Sequence, residues 1–351
     1  MSAFKVEESC HARVGLMGNP SDGFQGKTLS FLLKNFEATV NIEARDKEHG
    51  IEIAEPVFFD SLDGLCSHSQ KIGYSSGLRL LQATCKVFAD LCRKQGLTVH
   101  QERGFRMTYE TNIPRMVGLS GSSAIVVATF RGLLRFYNLT IADLGISKTE
   151  FPLVILNIEK IELGISAGLQ DRVIQTYGGL VHMDFSPEAV VASTKSGASP
   201  YTELDTSLLP EMYLAYDAHA GGDSGAVHST VRSRWESQDP ELVSGMRELG
   251  SYTDAAVSCL KEQRFKDLAV LMERNFAMRL KLYGAAVVGA KNLAMIELAK
   301  ELGFSAKFTG SGGALVCLNK QGSGFLDTAE EEKVRAAFAV HGFNFVRIKV
   351  L

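Results

Sequence analysis

The 351-residue chain has a single tryptophan, eight prolines and six cysteines. The cysteines (Cys10, Cys66, Cys85, Cys92, Cys259 and Cys317) form no CxxC and no metal-type spacing with histidine, which excludes zinc-finger and dithiol-redox classes. Cys85 and Cys92 lie seven apart in a helical pattern with Leu78, Leu81 and Phe88 and read as core residues of a reduced, intracellular chain. Charge of one sign is also missing. A formal net charge of -3 gives no support for a nucleic-acid or anionic-membrane partner. No apolar run approaches membrane-spanning length, since the best candidate, Ile125 to Leu134, is interrupted by Arg131. Met1 to Arg13 carries charges where a signal peptide needs an apolar core, so the expected compartment is the cytoplasm. Repeats, low-complexity tracts and long charge runs are absent, and the sequence carries no signal for an oligomeric state.

What is present is glycine in three clustered settings. The first setting is Pro114-Arg-Met-Val-Gly118-Leu119-Ser120-Gly121-Ser122-Ser123-Ala124. Upstream, Phe105, Met107 and Tyr109 alternate with polar residues as a half-buried strand does; downstream, Val126, Phe130, Leu133, Leu134 and Tyr137 recur at helical spacing. Gly118 and Gly121 permit close backbone approach, and the serines stand where the free N–H groups of a helix N-terminus point outward. A Gly/Ser loop opening onto a helix is a ready anion site.

The rest reads in order as follows. His11 to Met17 is a strand running into a turn at Gly18-Asn19-Pro20, with Arg13 on the strand and Asp22 at the turn's end. Ser21 to Thr28 is one residue from a Walker A loop, but Ala38, Val40, Ile42 and Ala44 alternate as a strand where that motif needs a helix, so it is rejected. Residues 51–70 read as irregular and 78–92 as an amphipathic helix. Pro152 opens a helix through Leu163 carrying Glu159 and Glu162 on one face. Gly164 to Asp171 is a second glycine turn, followed by a short helix from Arg172 and a strand over 179–185. The Ser/Thr/Ala/Pro-rich stretch 186–208 marks a boundary between domains over 1–190 and 205–351. Beyond it come a strand at Met212 to Tyr216, a polar loop from Asp217 to Gly225, helices near 226–237, 240–262, 264–283 and 289–302, and strands at 307–309 and 314–318 joined through Gly310-Ser-Gly312-Gly313. A helix near 328–340 and a strand at 343–350 complete a ferredoxin-like order with extra helices, within an α+β chain.

Singly these features have plain readings. Asp171 can cap a helix, Glu159 can be a solvated charge, Gly310 to Gly313 can be a hairpin turn, and His11, His182 and His228 lack a second metal ligand at useful spacing. In combination, Arg13-Val-Gly-Leu-Met-Gly-Asn-Pro-Ser-Asp22, Pro114 to Ala124, Gly168-Leu-Gln-Asp171 and Lys307-Phe-Thr-Gly-Ser-Gly-Gly-Ala314 occur in an order that resembles the GHMP small-molecule kinases over nearly the whole chain. Gly18 to Asp22, Thr111 to Arg115, Gly168 to Val173, Gly178 to Phe185 and Asp223 to Ser229 are most similar to the family's sugar-acid branch, the glucuronokinases.

The resemblance implies a two-domain α+β fold. Its N-terminal α/β domain has a left-handed crossover, its C-terminal domain is ferredoxin-like, and the active site lies in a cleft between them. It implies an ATP- and Mg²⁺-dependent kinase forming a sugar 1-phosphate, with D-glucuronate the expected acceptor. Gly118 to Ala124 would cradle the phosphates; Ser123 and Glu159 would ligate magnesium, a hard ion that takes oxygen donors. Asp171 would act as base or orienting group, and Arg13 would stabilise charge beside it. Asn19, Asp22 and Asp171, with Gly310, Gly312 and Gly313, would contact the substrate. Arg172, Arg115 and Lys27 are each candidates for the cation that meets a sugar carboxylate. The alternatives are a kinase for galacturonate, arabinose or galactose, and a catalytically silent sensor that binds sugar and nucleotide.

Overall fold

The computed structural model describes residues 4–53, 57–59, 61–72, 78–98, 104–196, 199–217, 231–322 and 324–351. The chain divides into two compact units that interleave along the sequence. Unit one comprises Met1–Ala12, Phe36–Ile113 and Gly121–Thr176; unit two comprises Arg13–Asn35, Pro114–Ser120 and Tyr177–Leu351. The linear division expected at 186–208 is thus not how contacts distribute, because two long N-terminal strands each pass from one unit into the other.

Those strands are β1 (Lys5–Met17) and β2 (Lys27–Arg45). In unit one they are followed by β3 (Ile51–Ile53), β4 (Val57–Phe59), α1 (Leu62–Ile72), α2 (Arg79–Lys94), β5 (Gly104–Thr111), α3 (Gly121–Phe136), α4 (Phe151–Asn157) and α5 (Leu169–Tyr177). The second half of β2 pairs antiparallel with β5, from Ala38 opposite Thr111 to Arg45 opposite Gly104. The other edge of β5 takes β3 in parallel, and β3 takes β4 antiparallel. Leu81, Cys85, Phe88, Ala89 and Cys92 all come from one side of α2 and are fully buried, as their helical spacing predicts. Phe88 packs edge-on against Phe130 of α3. All six cysteines are free and buried. The irregular reading of 51–70 is corrected: β3 and β4, each too short for a period to show, and most of α1 lie there.

Unit two holds the first half of β2, which pairs with β6 (Leu180–Asp184), itself paired with β7 (Tyr201–Leu204). Between these two strands lies α6 (Pro187–Ser196), so the Ser/Thr/Ala/Pro-rich stretch taken as a domain boundary contains a helix and a strand. Then come β8 (Tyr213–Tyr216), α7 (Pro240–Lys261), α8 (Phe265–Tyr283), α9 (Ala285–Val288), α10 (Ala290–Glu301), β9 (Phe304–Phe308), β10 (Ala314–Asn319), α11 (Thr328–Val340) and β11 (Asn344–Arg347). Residues 231–236 are also helical, within the stretch expected over 226–237. The four strands form an antiparallel sheet in the order β11-β8-β10-β9. Numbered by appearance that is fourth, first, third, second, the ferredoxin-like order expected. Its core includes Tyr213, Phe304, Phe308, Phe338 and Phe345, with Tyr213 stacked on Phe345. Asp239 caps α7 and Asp327 caps α11 through their side chains. Among the described residues no helix is long and apolar enough to cross a membrane.

Candidate active site

In unit one the chemistry is carried by three short segments. The phosphate-loop sequence becomes α3 at Gly121, and Ser123 and Ala124 in its first turn are fully buried while Ser122 is exposed. α4 does not simply stop. It widens into a π-helical turn, Ile158–Glu162, a departure from α geometry that concentrates at functional sites. Glu159 sits in that turn with no exposed surface. Its Oε2 accepts from Nε of Arg172 at 2.8 Å and from Nη2 of the same guanidinium. Arg172 Nη1 donates to the Gly168 carbonyl at 3.0 Å and lies 3.5 Å from Oδ2 of Asp171.

One guanidinium therefore ties the Glu159 carboxylate to Asp171. This removes Arg172 from the candidates for binding a substrate carboxylate, because it is buried and its planar fork is already engaged. Asp171 is the third residue of α5, inside the first turn, so the cap reading does not apply. Glu162 is engaged by Lys86 at 2.7 Å. The other Glu159 oxygen, Oε1, is buried and has no hydrogen-bond partner among the described residues. A buried carboxylate oxygen left without a donor suits a hard cation, so the residues present fit magnesium. Among the described residues no group of three or more His, Cys, Asp or Glu could hold a metal ion.

In unit two three sequence-distant motifs meet backbone to backbone. A Cβ placed on Gly118, whose φ is +69°, would stand 2.9 Å from the Gly312 carbonyl oxygen and 3.0 Å from the Ser311 nitrogen. One placed on Gly310 would stand 2.5 Å from the Gly118 carbonyl oxygen. Only glycine fits at either position. Ser120, also with positive φ (63°), holds a conformation a serine adopts at a cost.

Arg13, at the division between the units, sends Nη1 to the carbonyls of Gly118 (2.6 Å) and Thr309 (3.0 Å), and its own N–H to that of Leu119 (3.3 Å). Arg279 of α8 does the same for the last glycine loop, with Nη1 on the Gly310 carbonyl and Nη2 on that of Ser311, each at 2.6 Å. Asn292 accepts from the Gly313 N–H at 2.9 Å. The N–H groups of Gly310, Ser311 and Gly312 donate to nothing among the described residues. Two guanidinium groups thus hold carbonyls back and leave loop amides as donors, the polarity an oxyanion requires.

Asn19 is built into this frame. Its Nδ2 donates to the Phe308 carbonyl and its Oδ1 accepts from Lys307 Nζ. Lys307 also donates to the carbonyls of Gly15 and Phe308, and burial, with the charges of Arg279 and Arg13, pushes its pKa well below the ordinary lysine value. Asp22 lies in the short helical turn Ser21–Phe24, and burial lowers the Arg279 pKa against the opposing charge of Asp22. Lys27, another proposed carboxylate cation, is engaged by Asp254 at 2.7 Å and Asp184 at 3.5 Å. Arg115 is exposed, and the described contacts give it no place in the frame. The segment Asp223 to Ser229 lies outside the described residues. A surface hollow lined by Gln263 to Asp267, Gln321 and Gly322 contains none of the motif residues.

Sequence reasoning missed Arg279, Asn275 and Asn292. Asn275, Phe276, Arg279, Leu282 and Tyr283 form one buried face of α8. An Asn and an Arg on an apolar stripe were the available signal.

Residues 80–179 match the family described as GHMP kinases N terminal domain. Over 345 residues the chain is 44% identical to the probable glucuronokinase 2 of Arabidopsis thaliana, covering 97% of this chain and 91% of that protein. The chain belongs to the GHMP kinase family. It is a phosphotransferase with an alcohol group as acceptor and ATP as donor, glucuronokinase-like in sequence. Glucuronokinase 1 of the same plant is also 44% identical, over 340 residues, with 95% of this chain and 91% of that one covered. A crystal structure of mevalonate kinase shares the kinase's fold with a TM-score of 0.72 at 14% identity, over 98% of this chain and 99% of that one. Lactococcus lactis galactokinase complexed with galactose gives 0.72 at 14%, over 99% and 94%.

Proposed function

We propose that the kinase is an ATP- and Mg²⁺-dependent sugar-acid 1-kinase converting D-glucuronate and ATP to D-glucuronate 1-phosphate and ADP. The observation that carries this reading is the 44% identity to two glucuronokinases over nearly the full length of all three chains.

The roles follow from the chemistry of each residue. Phosphoryl transfer needs positioning and charge stabilisation more than covalent chemistry. The amides from Gly118 to Ala124 take the nucleotide's phosphate oxygens, with Arg13 fixing the orientation of the Gly118 and Leu119 peptides. Asp171, partly exposed beside Arg172, accepts the proton of the acceptor hydroxyl as that oxygen bonds to the γ-phosphorus and ADP departs. Arg172 keeps the carboxylate in place. Ser123 and Glu159 Oε1 would hold magnesium, which when bound draws charge from the phosphates. Asn19, Asp22 and the Gly310–Gly313 loop serve the acceptor, and 1–190 and 205–351 are retained as the functional domains.

The test is coupled ADP release with Mg-ATP against glucuronate, galacturonate, arabinose, galactose and glucose. Glucuronate is expected to give the highest kcat/KM by at least about tenfold. Preference for a neutral sugar would discard the acid assignment, and binding of sugar and nucleotide without turnover would make the protein a sensor.

A further inference from the structure

Three buried cations, Arg13, Lys307 and Arg279, surround the last glycine loop. Lys307 is saturated by three acceptors, and Arg13 places Nη1 on two carbonyls. Arg279 is different. Its two terminal nitrogens are fixed on Gly310 and Ser311, its residue is 3% exposed, and its Nε has no partner among the described residues.

One helical turn further, on the same face of α8, stands Tyr283. It is 6% exposed, and its hydroxyl too is buried with no partner among the described residues. The Arg279 guanidinium lies 5.4 Å from the Tyr283 ring centroid and 4.9 Å from that of Phe308. Two unpaired polar groups on adjacent turns of one buried face are costly in isolation and become favourable once an acceptor reaches both. Burial holds the phenol protonated, hence a donor, and the charges acting on it are Arg279 and Arg232 against Asp22. The balance is one positive charge. Asp22 belongs to the turn assigned to sugar hydroxyls, so the same neighbourhood offers an acceptor for hydroxyls and two donors for an oxyanion.

We propose that Arg279 and Tyr283 are the specificity-determining pair for the acceptor, Arg279 Nε and the Tyr283 hydroxyl donating to the carboxylate of a sugar acid. This rests on the sugar-acid reading above. It also supplies a cation for that carboxylate where Arg172 and Lys27 are engaged by carboxylates of the chain itself and Arg115 is exposed. Arg279 cannot swing away to serve another role, because both of its terminal nitrogens are held by the loop it supports.

The experiment compares wild type, Arg279→Gln and Tyr283→Phe, measuring KM for glucuronate, KM for ATP, turnover on glucose as the uncharged counterpart, and thermal midpoints. Losing a charged hydrogen bond should raise the glucuronate KM about tenfold to hundredfold in Arg279→Gln, and losing the hydroxyl about fivefold in Tyr283→Phe. In Tyr283→Phe the KM for ATP should stay within about twofold, since that change leaves the Arg279 hold on the Gly310 and Ser311 carbonyls in place. The preference for glucuronate over glucose should shrink in step. Tyr283→Phe should melt no lower than wild type, because it deletes an unpaired buried hydroxyl. Should Arg279→Gln fail to fold, Tyr283→Phe decides alone. Folded variants with an unmoved glucuronate KM overturn the inference, as does a rise confined to the KM for ATP, which would place the oxyanion on the nucleotide. Wild-type protein inert toward glucuronate and galacturonate overturns the sugar-acid reading itself, so the two failures are seen in different samples.

Discussion

Replacing Gly118 by alanine tests whether the phosphate loop and the last glycine loop are held together by the absence of a side chain. At φ +69° an alanine occupies the left-handed region, which costs an L-residue about 1–2 kcal/mol. The added Cβ would also lie 2.9 Å from the Gly312 oxygen, 3.0 Å from the Ser311 nitrogen and 3.3 Å from the Gly310 Cα. These are backbone atoms, and Arg279 and Asn292 hold their loop, so relief requires the loops to part. Overpacking of this kind adds about 1–3 kcal/mol. The sum is about 2–5 kcal/mol of lost stability. A misplacement of the cradle should in addition lower kcat/KM about hundredfold. Gly342→Ala is the control, because Gly342 has φ +76° and no neighbouring atom within 4 Å, so it carries the backbone cost alone. Urea denaturation and steady-state kinetics on both variants give the comparison. Equal destabilisation of the two, to within about 0.5 kcal/mol, together with undiminished turnover in Gly118→Ala, would refute the backbone-to-backbone packing argument.

Asp171→Asn should abolish most turnover, by about 10²-fold or more, while ATP affinity measured by titration stays near wild type. Ser123→Ala should raise the Mg²⁺ concentration needed for half-maximal rate, and an unchanged metal dependence would reassign that ligand. Arg172→Met should destabilise by about 3–5 kcal/mol in denaturant, since it leaves the Glu159 carboxylate buried without its cation. Burial pushes the Cys10 and Cys317 thiols from 9.0 up to about 12. The folded state therefore keeps protons that the unfolded state releases, and stability should be intact below pH 9 and decline steadily from there toward pH 12. Denaturation midpoints across that range check the sign, and native thiols should react slowly with a disulfide reagent at pH 8 until the chain unfolds.

The parts of this fold legible in the sequence were those with a sustained period or a forced residue. The helix expected near 328–340 appears at Thr328–Val340, and those near 240–262 and 264–283 appear as α7 and α8. Gly118 could be read as a close-approach position from the Gly/Ser loop around it, whereas Gly310 to Gly313 reads equally as a hairpin turn until the structure sets it against Gly118. Legibility failed where neighbours decide. β2 runs for 19 residues, and only its second half, Ala38 to Ala44, alternates visibly; residues 29–33 are buried on both faces and carry no period. β3, β4 and β7 are three or four residues long, below what a period of two can reveal. Arg172 stands beside Asp171 in sequence, yet no local pattern tells that its guanidinium closes on Glu159 thirteen residues back. Arg279 shows the same limit from the other side, since the loop it holds lies 31 residues further along the chain.

Phosphorus NMR tests most directly the proposal that this kinase transfers phosphate from ATP to the anomeric hydroxyl of glucuronate. With glucuronate, Mg-ATP and catalytic amounts of protein, the γ-phosphate signal should fall as a sugar 1-phosphate signal and ADP rise in equal amounts. A phosphate appearing on another hydroxyl, or ADP forming with no sugar phosphate, would contradict it.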